Sequence, residues 1–277
     1  MAPPADMSRA HRARWVVGSI LSLSLSCAAA PAPAPPPPAR APKPPPTSVP
    51  PLAPPSLPER RADLAEEAGE SGALGSSWHD RHQALLQAAG RRAAQLLVIG
   101  DGLADGWHRS RAFQKQWRER KPLNLALPGD QTQQLIWRIE HGALDGLTPR
   151  LVLLVAGNEN LAHGFTPAQT ARGVAAVLQR VRERLPDSRV LLLGLLPAGQ
   201  SALDPLRAAS DATNVELRAV ASAAQLTLAE PGGVFLEPDG RITPGMLGDD
   251  GQPTALGYEA LTITVSLLAQ RLLEAGH

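Results

Sequence analysis

From residue 95 to the C-terminus the chain alternates short, nearly all-apolar runs with longer stretches in which apolar residues return every three or four positions. The runs 95–99, 123–126, 150–155, 189–195 and 226–229 predict strands. Their neighbours at 111–120, 131–142, 166–185, 205–224 and 255–273 predict amphipathic helices. Strands that are apolar on both faces and alternate with helices imply a parallel sheet covered on both sides. The expected architecture is therefore α/β, a three-layer αβα domain with a five-stranded, flavodoxin-like parallel sheet. In such sheets a ligand site lies at the carboxyl ends of the strands.

The pattern is different before residue 77. Residues 31–58 hold more than half of the 28 prolines, a composition that forms neither helix nor central strand. Residues 28–76 are expected to be a proline-rich, extended linker, charged and loose from residue 59 onward. Ahead of it, Arg9, His11, Arg12 and Arg14 precede an apolar run from Trp15 to Leu25, which ends in Ser26-Cys27-Ala28-Ala29. A basic segment, a short apolar segment and small residues form the pattern of a secretory signal, so residues 1–27 are expected to direct export. The run is too short for the ~20 residues of a permanent membrane span. Met7 offers a second start that gives a more compact signal. The domain itself is expected to occupy residues 77–277.

With 27 basic and 26 acidic residues, and no basic stripe, the chain carries no electrostatic footprint for nucleic acid. Cys27 is the sole cysteine, so no disulfide forms within the chain. Its place directly after the apolar run resembles a bacterial lipoprotein signal, in which the cysteine is lipidated and becomes the mature N-terminus. That resemblance implies a lipid-anchored protein of the cell envelope. Ser24 departs from it, standing where such signals usually carry leucine, and an ordinary cleaved signal with an incidental Cys27 is the other reading. His79, His82, His108, His141 and His163 lack metal-ligand spacing and read as surface or packing residues. Trp107, Trp117 and Trp137 fall at helix-face spacings and read as core. No cofactor is expected.

Three predicted strands are followed by polar, glycine-rich turns: Gly100-Asp101-Gly102, Pro128-Gly129-Asp130 and Gly157-Asn158-Glu159-Asn160. A fourth polar stretch runs from Asp249-Asp250-Gly251-Gln252 through Pro253 to Tyr258. In order and spacing these resemble the four blocks of the SGNH (GDSL-type) hydrolases. Further stretches are similar to the catalytic-subunit group of platelet-activating-factor acetylhydrolases: Trp78 with His82, 124–130, 135–138, 150–158 and Gly194-Leu195-Leu196-Pro197. The resemblance implies an SGNH hydrolase fold and ester chemistry. It assigns Gly129 and Asn158 to the oxyanion donors and Asp249 to the residue that orients a histidine. It also implies an acyl or acetylated ligand and, since the subunits of that group work as dimers, a homodimer.

Two positions depart from the resemblance. Gly102 stands where the family has its nucleophilic serine, and Gln252 where it has the histidine base. Glycine has no hydroxyl to attack a carbonyl, and a carboxamide does not titrate near neutrality. Lesions of this kind cost serine hydrolases about 10⁶-fold in kcat. The expectation is a catalytically impaired domain that keeps an oxyanion-type pocket. The alternative is an active ester hydrolase using an unorthodox nucleophile or water activated by a carboxylate. Asp101, Asp130, Glu159, Asp250, Ser110 and His108 are the nearby candidates for that chemistry. Gly129, Asn158, Asp249 and Asp250 also have a plain reading as turn residues.

Overall fold

The computed structural model describes residues 61–67, 75–89, 93–199 and 201–275. The expected signal at 1–27, with Met7 and Cys27, and the expected linker up to residue 60 lie outside them. Five parallel strands stand in the order β2-β1-β3-β4-β5: β1 Leu96–Gly100, β2 Pro122–Asn124, β3 Leu151–Val155, β4 Arg189–Leu193 and β5 Thr227–Ala229. The helices are α1 Gly75–Ala89, α2 Gly102–Arg109, α3 Arg111–Trp117, α4 Thr132–Glu140, α5 Asn158–Ala162, α6 Pro167–Arg184, α7 Pro205–Ala223 and α8 Ala255–Glu274. The architecture is the expected three-layer αβα sheet with flavodoxin-like order.

The strands are apolar on both faces because each face has its own core. Alternate residues point to opposite sides of a strand. Leu97, Ile99, Val152, Leu154, Val190 and Leu192 pack with Leu135 and Ile139 of α4, Val174, Val177 and Val181 of α6, and Leu217 of α7. Leu96, Val98, Leu151, Leu153, Val155, Leu191 and Leu193 pack with Trp107, Phe113 and Trp117, and with Leu261, Val265 and Ala269 of α8. Each fully buried side chain of this kind contributes roughly 1.5–3 kcal/mol.

Several expected boundaries shift. The fourth strand stops at Leu193, and β2 ends at Asn124, although Leu125 N–H and Leu127 N–H still donate to the carbonyls of Val98 and Gly100 at 2.8 and 3.0 Å. The pattern at 111–120 is a helix only to Trp117, then a 3-10 turn over Arg118–Arg120. Helices α1, α2 and α5 form where the apolar pattern predicts no element. Trp107 and Trp117 are core residues, whereas Trp137 is half-buried, stacked on His141 with ring centroids 3.8 Å apart.

Residues 61–67 are a docked arm, where a loose joint was expected. The hydroxyl of Thr132 donates to the Ala62 carbonyl at 2.7 Å, Glu66 N–H donates to Gln133 O at 3.2 Å, and the Ala62 side chain is buried. Gly173 on α6 makes room for this contact, since a Cβ there would stand 2.7 Å from the Ala62 carbonyl oxygen.

Candidate active site

The first turn is built by backbone necessity. Gly100 ends β1 with φ +153, and a Cβ on it would come 1.9 Å from the Val155 carbonyl oxygen, so only glycine lets β1 close on β3 here. Asp101 follows as the N-cap of α2, its Oδ1 accepting Leu103 N–H at 3.0 Å. Its Oδ2 accepts the side-chain amide of Asn158 at 2.9 Å. Asp101 is fully buried, and burial pushes its carboxyl up to about 7; the Asn158 hydrogen bond opposes the rise, while neighbouring Glu159 adds to it.

Gly102 is the first residue of α2 and has no comparable steric reason to be glycine. A Cβ on it would lie 3.7 Å from Pro128 and 3.9 Å from Glu159 Oε1, ordinary van der Waals separations. The first, second and third glycine-rich turns therefore meet around this one backbone position. Glu159 is three-quarters buried, 3.8 Å from the exposed His163 ring.

The second turn carries Gly129 at φ +86, the left-handed region that favours glycine. Asp130 beside it is committed elsewhere. It accepts the indole N–H of Trp78 at 2.7 Å and pairs with Arg138 at 2.5 Å, all three buried. Arg138 also donates to the Leu125 carbonyl and to His82 Nδ1 at 3.4 Å. Burial, with the Arg138 charge second, lowers the His82 pKa to about 4. Ser110 is likewise occupied, its hydroxyl capping α3 by accepting Phe113 N–H. In the third turn Gly157 sits at φ +113, where a Cβ would strike Thr170 at 2.9 Å.

The fourth stretch is a tight loop in front of α8. Gly248 N–H donates to the Gln252 carbonyl at 2.8 Å, and Asp250 Oδ1 accepts Gln252 N–H at 3.0 Å, which makes Asp250 a turn acid. Asp249 is exposed. The side-chain oxygen of Gln252 is enclosed and without a hydrogen-bond partner among the described residues. The first turn of α8 reaches α2 through Tyr258, whose hydroxyl presses on Gly106 so closely that a Cβ there would be 2.1 Å away. Burial raises the Tyr258 pKa to about 12, with the charges of Asp250, Asp105 and Asp101 adding to it. Among the described residues no three His, Cys, Asp or Glu side chains form a group able to hold a metal ion.

Three polar turns thus gather at the carboxyl ends of the first three strands of a parallel sheet, where α/β folds of this kind hold their ligands. Residues 97–260 match the GDSL-like Lipase/Acylhydrolase family, and the chain belongs to it. The alpha1 subunit of platelet-activating factor acetylhydrolase IB from Homo sapiens is 32% identical over 199 residues, spanning 71% of this chain and 84% of that protein. The human alpha2 subunit is 26% identical over 198 residues, spanning 71% and 85%. Among solved structures, a GDSL-like lipase from Bacteroides thetaiotaomicron shares the fold with a TM-score of 0.57 at 17% identity, covering 70% of this chain and 97% of that one.

Proposed function

We propose that the domain is an acyl-ester-binding member of the family whose hydrolysis is impaired. One observation carries the reading: the backbone of residue 102 occupies the junction of the three turns, and no hydroxyl stands there. Gly129 and Asn158 supply oxyanion-type donors in this reading. The relatives' designation as acetylhydrolases points to a small acyl group. The test is p-nitrophenyl acetate hydrolysis by the natural chain and by a Gly102→Ser, Gln252→His double variant. Near-background turnover by the natural chain, with a gain in the variant, is the expected outcome. Robust hydrolysis by the natural chain overturns it.

A second reading has its own support in Glu159, whose carboxylate faces the space a serine would fill. There it would act as a general base on water, without a covalent intermediate. Hydrolysis by the natural chain that disappears in Glu159→Gln selects this reading.

The domain is further proposed to be exported, and anchored through a lipid on Cys27. Support comes from the basic and apolar segments ahead of that cysteine. Mass spectrometry of the mature N-terminus tests it: an unmodified N-terminus downstream of residue 27 removes the anchor. Among the described residues no helix is long and apolar enough to cross a membrane.

A further inference from the structure

The amino ends of β4 and β5, at the opposite edge of the sheet from the candidate site, frame a cavity of about 180 Å³. Its walls come from the last turn of α6, the start of β4, the turn from α7 into β5, and Leu272 near the end of α8. Arg182 and Arg189 stand in those walls, and no carboxylate does. Among the described residues each guanidinium has one hydrogen-bond partner, a carbonyl at a helix end. Arg182 donates to Ala224 O and Arg189 to Ala275 O, both at 2.7 Å. The acids nearest along the chain, Glu183, Asp187 and Glu274, form no ion pair with either arginine among the described residues, and Glu183 accepts the Gln179 amide at 2.7 Å. Capping α7 and α8 therefore uses one N–H of each arginine and gives neither charge a counter-ion.

We propose that this cavity binds a phosphate group, either the free ion or the phosphomonoester of a headgroup, independently of the ester site. An arginine carries five N–H donors in a fork that matches phosphate oxygens, so four remain on each. The donors also converge from different elements. Beside Arg182 from α6 and Arg189 from β4, the wall holds the Gln225 carboxamide and the Thr227 hydroxyl, neither of them hydrogen-bonded among the described residues. Donors on several sides suit a tetrahedral oxyanion better than a flat carboxylate. Gln225 keeps its side chain in that wall from φ +52, the left-handed position after a helix that glycine usually takes. The cavity falls below the roughly 300–1,000 Å³ of pockets for larger ligands, which limits it to a compact group. Both arginines are exposed, so affinity should be millimolar and should fall with salt.

The experiment is calorimetric titration of the full chain with inorganic phosphate and with glycerol 3-phosphate, at an ionic strength held constant with sodium chloride. Arg182→Gln and Arg189→Gln remove a charge while keeping an N–H for the helix carbonyl, and each should weaken phosphate about tenfold. Gln225→Glu breaks no hydrogen bond of the described fold and sets a carboxylate in the wall; it should weaken phosphate at least as much. Glycerol 3-phosphate has the backbone of a lipid headgroup and no acyl ester. Binding as tight as that of phosphate, or tighter, assigns the site to a phosphomonoester, and binding of inorganic phosphate alone assigns it to the free ion. No phosphate binding, heats that chloride reproduces at equal ionic strength, or an affinity unchanged in Gln225→Glu overturns the site.

Discussion

Asn158 gives its side-chain amide to Asp101, 57 residues earlier, at 2.9 Å, and so binds the third turn to the first. The orientation of a candidate oxyanion donor thereby depends on a buried carboxyl that titrates near 7. Its folded pKa lies above the unfolded value of about 3.8. The contribution of Asp101 to stability is therefore complete below about pH 4 and is lost as pH rises through 7. Asp101→Asn removes this titration and keeps a residue that caps helices well. Relative to the natural chain, the variant should gain on the order of 1–4 kcal/mol on moving from about pH 5 to about pH 8. Urea midpoints at the two pH values check it, and an offset that does not change with pH would contradict it.

Two neighbouring glycines should respond oppositely to a methyl group. At Gly102 the space is open and the residue begins a helix, so Gly102→Ala should be neutral or stabilise by up to about 1 kcal/mol. At Gly100 the same change drives a Cβ into the Val155 carbonyl, and a loss of at least roughly 3 kcal/mol, or failure to fold, is expected. Thermal melts of the two variants side by side provide the comparison.

His82 works in the acid range. Its folded pKa, about 4, lies below its unfolded value near 6.5, so folding favours the neutral ring. The stability this provides is present above about pH 6.5 and falls away as pH drops through 4. Stability curves over that interval should flatten in His82→Gln. An acid limb as steep as that of the natural chain would assign the transition to other groups.

The sheet was legible because runs such as 151–155 are apolar throughout, which suits a strand buried on both faces. Helix α5 offered no such signal: five residues, Asn-Glu-Asn-Leu-Ala, are too few to show a period. In α2, glycines at 102 and 106 disguise a helix whose Gly106 is dictated by the Tyr258 hydroxyl, a contact that local pattern cannot carry. The docking of the arm is illegible in the sequence for a related reason. Ala62 sits in a charged stretch, and its burial comes from Thr132 and Gly173 far along the chain. Residue types at 102, 129, 158 and 252 could be read directly. The burial of Asp101, its bond to Asn158 and the commitment of Asp130 to Trp78 and Arg138 arise from tertiary packing.

Neighbouring residues of β3 serve opposite faces of the sheet, Leu153 toward α8 and Leu154 toward α6, on one continuous backbone. Neither helical layer can come away without stripping the partner face of the same strands. Indoles report from both flanks, Trp107 and Trp117 on one and Trp78 with Trp137 near α4 on the other. The domain is thus wired for a single all-or-none melt, seen at one temperature by Trp78, Trp107, Trp117 and Trp137 alike.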